Sequence, residues 1–284
     1  MEFVQLLKEL NHHDGCTFQK VFHALKPMII EKIYDLLKNR NVRHTGRPIT
    51  TDFNKFLDAL FFISESGSQF KYVQNVSGIS KGTFYRYLKF FTDHQLLQNI
   101  YQSAIKYYPL IDPLITDTFT VKSMSGNEGL GRNPTDRGRK GFKVSLISDA
   151  NRVVRAVQIA GANKHDSKIL VDTIDQMKQP EHMVNYLCDA GYVGKNLRDT
   201  CHSKNFRLIV KPKKTNKKGN MSHILLRKDA ELLHMKRNQI ELLNGQIRRF
   251  RGLMIKWVRH MSIYLSFLYV ALLSITCYQI FVNV

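Results

Sequence analysis

Acidic side chains are scarce in this chain of 284 residues. Twenty-three Asp and Glu stand against 43 Lys and Arg, a net charge of +20. The shortage is concentrated. Residues 1–110 carry 14 basic and 9 acidic side chains, whereas residues 111–284 carry 29 and 14. A surface of that sign attracts polyanions, of which nucleic acid is the commonest, although a basic surface also serves plain solubility. Cysteine is sparse too: Cys16, Cys188, Cys201 and Cys277 include no C-x-x-C pair. That excludes a disulfide scaffold and a zinc ribbon and predicts a reducing compartment. A site built on Cys188, Cys201 and His202 fits no common zinc spacing and lacks a fourth ligand. No basic-then-apolar leader opens the chain, so secretion is not expected. Internal repeats are absent as well.

Apolar residues are not in short supply. They make up 43% of the chain, with 11% aromatic, which excludes a wholly disordered protein. The length suits two ordinary domains.

The first 110 residues read as helical, with apolar residues three and four apart around 3–10, 18–39, 52–64 and 95–107. A short helix over Gln69–Val76, a turn at Gly78 and an N-cap at Ser80 lead into a helix over Lys81–Phe91. Phe84, Tyr87, Leu88 and Phe91 share its inner face. Lys81, Thr83, Tyr85, Arg86 and Lys89 share the outer one. This is a helix-turn-helix pattern, with Lys81, Thr83, Arg86 and Lys89 as candidate DNA contacts, although small helical bundles also contain such pairs.

Near Tyr108–Pro113 the texture changes. Runs rich in Val, Ile, Phe and Tyr predict strands at Leu114–Lys122, Phe142–Asp149, Val153–Ala160, Val184–Asp189 and Phe206–Lys211. The turn Asp149–Asn151 makes the second and third a hairpin. Helices are expected at Ser167–Met177 and Lys195–Lys204. The order implies a mixed α/β sheet flanked by helices. Ser123–Lys140 and Pro212–Gly219 read as loops. The second holds Lys213 and Lys214, which suit a phosphate-contacting loop, a nuclear-address cluster or a solvated turn equally well. Ile263–Val282 lacks charge over a length that could span a bilayer. Its Ser, Thr, Tyr and Gln, in a chain with no other such segment, favour a helix buried in protein over a membrane anchor.

Carboxylates are few enough that their settings matter. Asp117 lies inside Leu114-Ile-Thr-Asp-Thr-Phe-Thr-Val, and Asp189 ends the apolar part of Tyr186-Leu-Cys-Asp-Ala-Gly-Tyr. An ionised carboxylate beside an apolar strand is costly unless paired or metal-bound. Glu241 belongs to a helical run in which His234, Arg237, Asn244 and Arg248 fall on its face. That face reads either as a site or as a salt-bridged surface. Asp166, in the His165-Asp-Ser run, reads as a helix cap (it or Ser167), with a supporting site role for Asp166 as the other possibility.

Asp117 on a first strand, Cys188-Asp-Ala-Gly-Tyr around Asp189, and Arg237-Asn-Gln-Ile-Glu followed by Arg248 resemble DDE-type insertion-sequence transposases, more narrowly the insertion-sequence-five family. The likeness runs from about Gly46-Arg-Pro to the C-terminus and takes in Gly141-Phe-Lys-Val-Ser and Gly161-Ala-Asn-Lys-His-Asp-Ser. His234 and Arg248 stand where that family has Tyr and Lys, and both can donate to phosphate. The resemblance implies an all-α helix-turn-helix domain over 1–110 (motif at about 46–92) before a ribonuclease-H-like catalytic domain over 111–284. It implies that Asp117, Asp189 and Glu241 hold two Mg²⁺ (or Mn²⁺) ions. Arg237 and Arg248 would clamp phosphate, with His234 in support. Double-stranded DNA is then the partner, as element end and target, with a homodimer on paired ends and no membrane. The place of action would be a bacterial cytoplasm and nucleoid or a eukaryotic nucleus. A DNA-binding descendant without turnover, or a nuclease of the same fold, would carry the same residues.

Overall fold

The computed structural model describes residues 17–38, 50–106, 108–189, 191–192, 194–210 and 227–283. The expected helix at 3–10 and the Gly46-Arg-Pro segment lie outside them. The chain forms two compact units. One takes the chain up to Tyr108, Met124–Gly126 and everything from Gln246 on; the other is Pro109–Ser123 with Asn127–Gly245.

The first unit is helical. Helix α1 (Phe18–Lys38) buries Phe18, Val21, Phe22, Leu25, Ile29, Ile33 and Leu37, one stripe at three- and four-residue spacing. Helix α2 (Phe53–Ser66) starts at Asp52, whose carboxylate accepts from the backbone N–H of Asn54 and Lys55 at 2.9 and 3.3 Å. It stops at Gly67, whose φ of 72° only glycine adopts freely. A 3₁₀ turn (Phe70–Tyr72), α3 (Val73–Ser77) and α4 (Lys81–Asp93) follow, with Gly78 left-handed between the last two. The Ser80 hydroxyl accepts from Thr83 N at 3.2 Å, the expected cap. Helix α5 (Leu96–Lys106) completes the series. Aromatic rings fill the interior, with Phe56 against Phe84 at 4.9 Å and Phe22 against Phe61 at 5.1 Å.

The terminal helix, Met261–Asn283, is long and apolar enough to cross a membrane by length and composition, but 83% of its most apolar window is buried within the protein. It packs against α1, α2, α4 and α5. Its polar groups find partners there. Ser266 hydrogen-bonds Thr92 at 2.6 Å and Thr276 meets the Tyr101 hydroxyl at 3.1 Å. The burial read from its composition is what is found. Its neighbours differ from the expected partition at residue 110, because this helix closes the helical unit and not the sheet. A helix apolar all round carries no sequence sign of which layer it joins.

The second unit is a mixed sheet. Strand β1 (Leu114–Ser123) lies next to β3 (Lys140–Ser148), antiparallel, with Asp117 opposite Leu146. Strand β4 (Val154–Gly161) returns antiparallel along β3. On its other side β1 runs parallel to β5 (Val184–Cys188), which runs parallel to β6 (Phe206–Val210). A two-residue strand, β2 (Gly131–Arg132), pairs with the start of β3 inside what reads as a pure loop, since two residues leave no periodic signal. Helix α6 (Asp166–Ile174) packs on β3 and β4, and α7 (Lys195–Ser203) on β6. Leu114, Leu170, Ile174, Tyr186, Leu197 and Phe206 share the core between sheet and helices. The hairpin at Asp149 is held by a buried ion pair. Asp149 accepts from Arg155 at 2.6 Å, and Arg155 also donates to the Pro109 carbonyl. Helix α8 (Arg227–Arg248) ends the unit, running unbroken through Gly245. The ribonuclease-H-like mixed sheet expected behind a helical N-terminal region is thus observed.

Candidate active site

Two of the three acidic residues lie just beyond the paired part of the β1–β5 ladder. The β1–β5 ladder pairs Leu114 with Tyr186 and Ile115 with Leu187. Asp117 and Asp189 each lie two residues past the second pair. Asp117 belongs to β1, whereas Asp189 follows the last residue of β5. Asp117 is half-buried and Asp189 exposed.

The carboxylate of Asp117 is oriented at both oxygens. Oδ1 accepts from the Thr118 backbone N–H at 2.8 Å. Oδ2 accepts a short hydrogen bond from the side-chain amide of Asn244 on α8. Asn244 is 8% exposed, and its own Oδ1 has no partner among the described residues. Glu241 is exposed and lies three residues earlier on α8, one turn away, so the helix carrying it is tied to Asp117 through its neighbour.

A second tie joins the Asp189 segment to β1. Tyr192 N donates to the Asp189 carbonyl at 3.0 Å, closing a turn, and the Tyr192 hydroxyl bonds Thr118 Oγ1 at 2.9 Å. Burial pushes this phenol well above its ordinary range, so it stays a neutral hydroxyl. Neutral clips therefore link all three acidic segments. The carboxylates themselves are not gathered into one group: among the described residues no three or more His, Cys, Asp or Glu side chains are placed to hold a metal ion.

Asp166 is not the cap of α6. His165 is, with its ring nitrogen facing Ser167 N at 3.3 Å, while Asp166 sits in the first turn and pairs with Lys143 at 2.8 Å. The imidazole reaches the free N–H as a shorter carboxylate would. Arg248 is exposed at the end of α8. The side chains of His234 and Arg237, and all of Lys213 and Lys214, lie outside the described residues. On α4, Lys81 and Arg86 are exposed, whereas Thr83 accepts from the Ser80 hydroxyl at 3.0 Å and Lys89 pairs with Asp93. Cys188 and Cys201 are buried free thiols. Sequence reading left Asn244 as one member of a helical face and Tyr192 as one letter of a motif. Their contacts join residues 127 and 74 positions apart, which no local pattern reveals.

The mixed sheet flanked by helices, with Asp117 on β1 and Asp189 directly after the neighbouring β5, is of the ribonuclease-H-like α/β class. The family model described as the transposase DDE domain matches residues 111–275. The chain therefore belongs to the transposase DDE-domain family. Among solved structures it is similar to the piggyBac transposase synaptic complex with hairpin DNA, with a TM-score of 0.55 and 10% identity over 95% of this chain and 76% of that one. A Mos1 transposase paired-end complex with left transposon end aligns with a TM-score of only 0.25 at 12% identity, over 88% of this chain and 87% of that one. The Mos1 mariner paired-end complex with Mn gives 0.26 at 11% identity, over 97% and 90%. No curated protein matches the chain.

Proposed function

We propose that this protein is a transposase of the insertion-sequence-five type. It binds double-stranded DNA at element ends, cuts a phosphodiester there and joins the freed 3′ end to target DNA. The observation that carries this reading is the placement of Asp117 on β1 and of Asp189 directly after its parallel neighbour β5, in a chain of the transposase DDE-domain family.

The donor set suits a hard divalent cation. All three candidate ligands are carboxylates, one carries an Asn amide against it, and the nearest thiol, Cys188, is turned into the core. Asp117, Asp189 and Glu241 would hold Mg²⁺ or Mn²⁺, two ions in this reading. Bound there, such ions activate water, neutralise charge on the phosphate and stabilise the leaving 3′ oxygen. The chain's own part is positional. Thr118 N–H and Asn244 fix the Asp117 carboxylate, and Tyr192 fixes the Asp189 turn. Arg237 and Arg248 would bind phosphate oxygens next to the cut. His234 would assist as a donor, with Asp166 as a supporting acid through Lys143. Lys81, Thr83, Arg86, Lys89, Lys213 and Lys214 would contact the DNA backbone or bases away from it. Two copies would act on paired ends. The domain division follows the same reading, with recognition in the helical region and chemistry at the sheet.

The test supplies purified protein with Mg²⁺ and duplex DNA bearing the element's own end. Transposition predicts a free 3′-OH at that end and joined products. Asp117→Asn, Asp189→Asn and Glu241→Gln should each abolish cutting with binding retained. Full cutting by any one of them removes that residue's ligand role. Nicks without joining would leave a nuclease, and a shift without cutting a DNA-binding protein.

A further inference from the structure

The chain's one tryptophan stands in solvent. Trp257 is 61% exposed, in the turn between the two-residue strand Ile255–Lys256 and the terminal helix. An isolated exposed leucine needs no explanation, but an indole is the largest apolar side chain and is ordinarily well covered.

The turn that presents it is firmly held. Lys256 is fully buried, and its Nζ donates to the Ser125 carbonyl at 2.6 Å and the Arg259 carbonyl at 3.1 Å. Met124 N donates to the Lys256 carbonyl at 2.9 Å. Gly126, at φ 73°, lies so close that a Cβ there would fall 2.2 Å from the Arg259 oxygen. A buried ammonium satisfied by backbone carbonyls is a costly device for an ordinary surface turn. Here it fixes the segment that displays Trp257 and an exposed Arg259.

We propose that Trp257 is a stacking platform for an unpaired nucleobase, with Arg259 on the adjoining phosphate. A flat ring with a cation two residues away matches the two faces of a nucleotide, π surface and anion. A second copy of this chain is the poorer occupant, since each carries +20. The inference rests on the DNA-acting reading above and adds the kind of DNA recognised: an end with unpaired bases.

Because Trp257 is the sole indole, intrinsic fluorescence of the full-length protein reads this site directly. The probes are a duplex with a short single-stranded 3′ overhang, the same duplex blunt-ended, and heparin. Binding is followed independently by anisotropy of a labelled strand. The overhang should quench Trp257 at saturation while heparin leaves it unchanged. Trp257→Ala should weaken overhang binding roughly 5- to 150-fold and blunt binding little, and Trp257→Phe should restore most of the loss. Circular dichroism checks that each variant is folded. Saturated overhang binding without quenching, equal quenching by heparin, or unchanged affinity in Trp257→Ala overturns the stacking role, and cutting by the same samples leaves the transposase reading intact. Loss of self-association in Trp257→Ala without a change in DNA affinity would instead make the indole a contact between copies. Absence of any DNA binding by the unaltered protein overturns both.

Discussion

Asn244 offers two polar groups, donating with one to Asp117 while its carbonyl oxygen is buried with no partner among the described residues. The two roles this residue can have separate experimentally. Asn244→Leu keeps the side-chain volume and removes both the donor and the orphan acceptor, so the melting temperature should change by the equivalent of no more than about 1 kcal/mol. If Asn244 positions a metal ligand, Mn²⁺ affinity measured by electron paramagnetic resonance should fall roughly 10- to 100-fold in the same variant. Unchanged affinity would leave Asn244 a packing residue. The thiols make a second case. Burial pushes Cys201 up to about 11 and holds Cys188 well above its ordinary value. Both should resist alkylation at pH 7 until the protein unfolds, as peptide mass spectrometry will show. A thiol that ionises less readily when folded draws the equilibrium toward the unfolded chain once the unfolded thiol deprotonates. Stability should therefore be intact below pH 9 and decline as pH rises from 9 toward 11, read as a falling denaturation midpoint. At this scale the sequence singles out Asp117 and Asp189 as acids beside apolar strands and Glu241 as an acid on a cation-flanked helical face. It could not show Asn244 or Tyr192, whose hydrogen bonds exist only once distant segments meet.

Secondary-structure elements were the more legible level, wherever a period repeats. The stripe Phe84, Leu88 and Phe91 fixed α4 and its inner face, and Ser80 its start. Each sheet strand of five or more residues lies within two residues of its expected span. Failures came where the signal is one residue deep. His165 caps α6 in place of the better-ranked Asp166 and Ser167. Contacts between elements also depend on glycines that no pattern singles out. A Cβ on Gly252 would lie 2.8 Å from the Ser64 carbonyl and 2.9 Å from that of Ile63, at the end of α2. Gly252→Ala should cost about 1–3 kcal/mol in thermal unfolding. The control is Gly82→Ala, on an open position of α4, which should be neutral or slightly stabilising.

Over the whole molecule, the net charge of +20 favours polyanionic partners. With +20 on the chain, affinity for duplex should fall steeply and log-linearly between 50 and 200 mM salt, the slope counting phosphate contacts. A flat salt response would remove electrostatics as the main source of binding. Buried placement of Met261–Val282 predicts that alkaline carbonate releases the protein from a membrane pellet. Composition supplied the charge argument in full. It could not supply the order in which the chain is used, since the helical unit is assembled from segments before and after the sheet. That order bears on synthesis. The apolar stripes of α1, α2 and α5 leave the ribosome early, yet the helix that packs on them is made only after the sheet. Until that helix is made, the nascent protein must carry those surfaces bare, and a product truncated before Met261 is one that quality control should degrade.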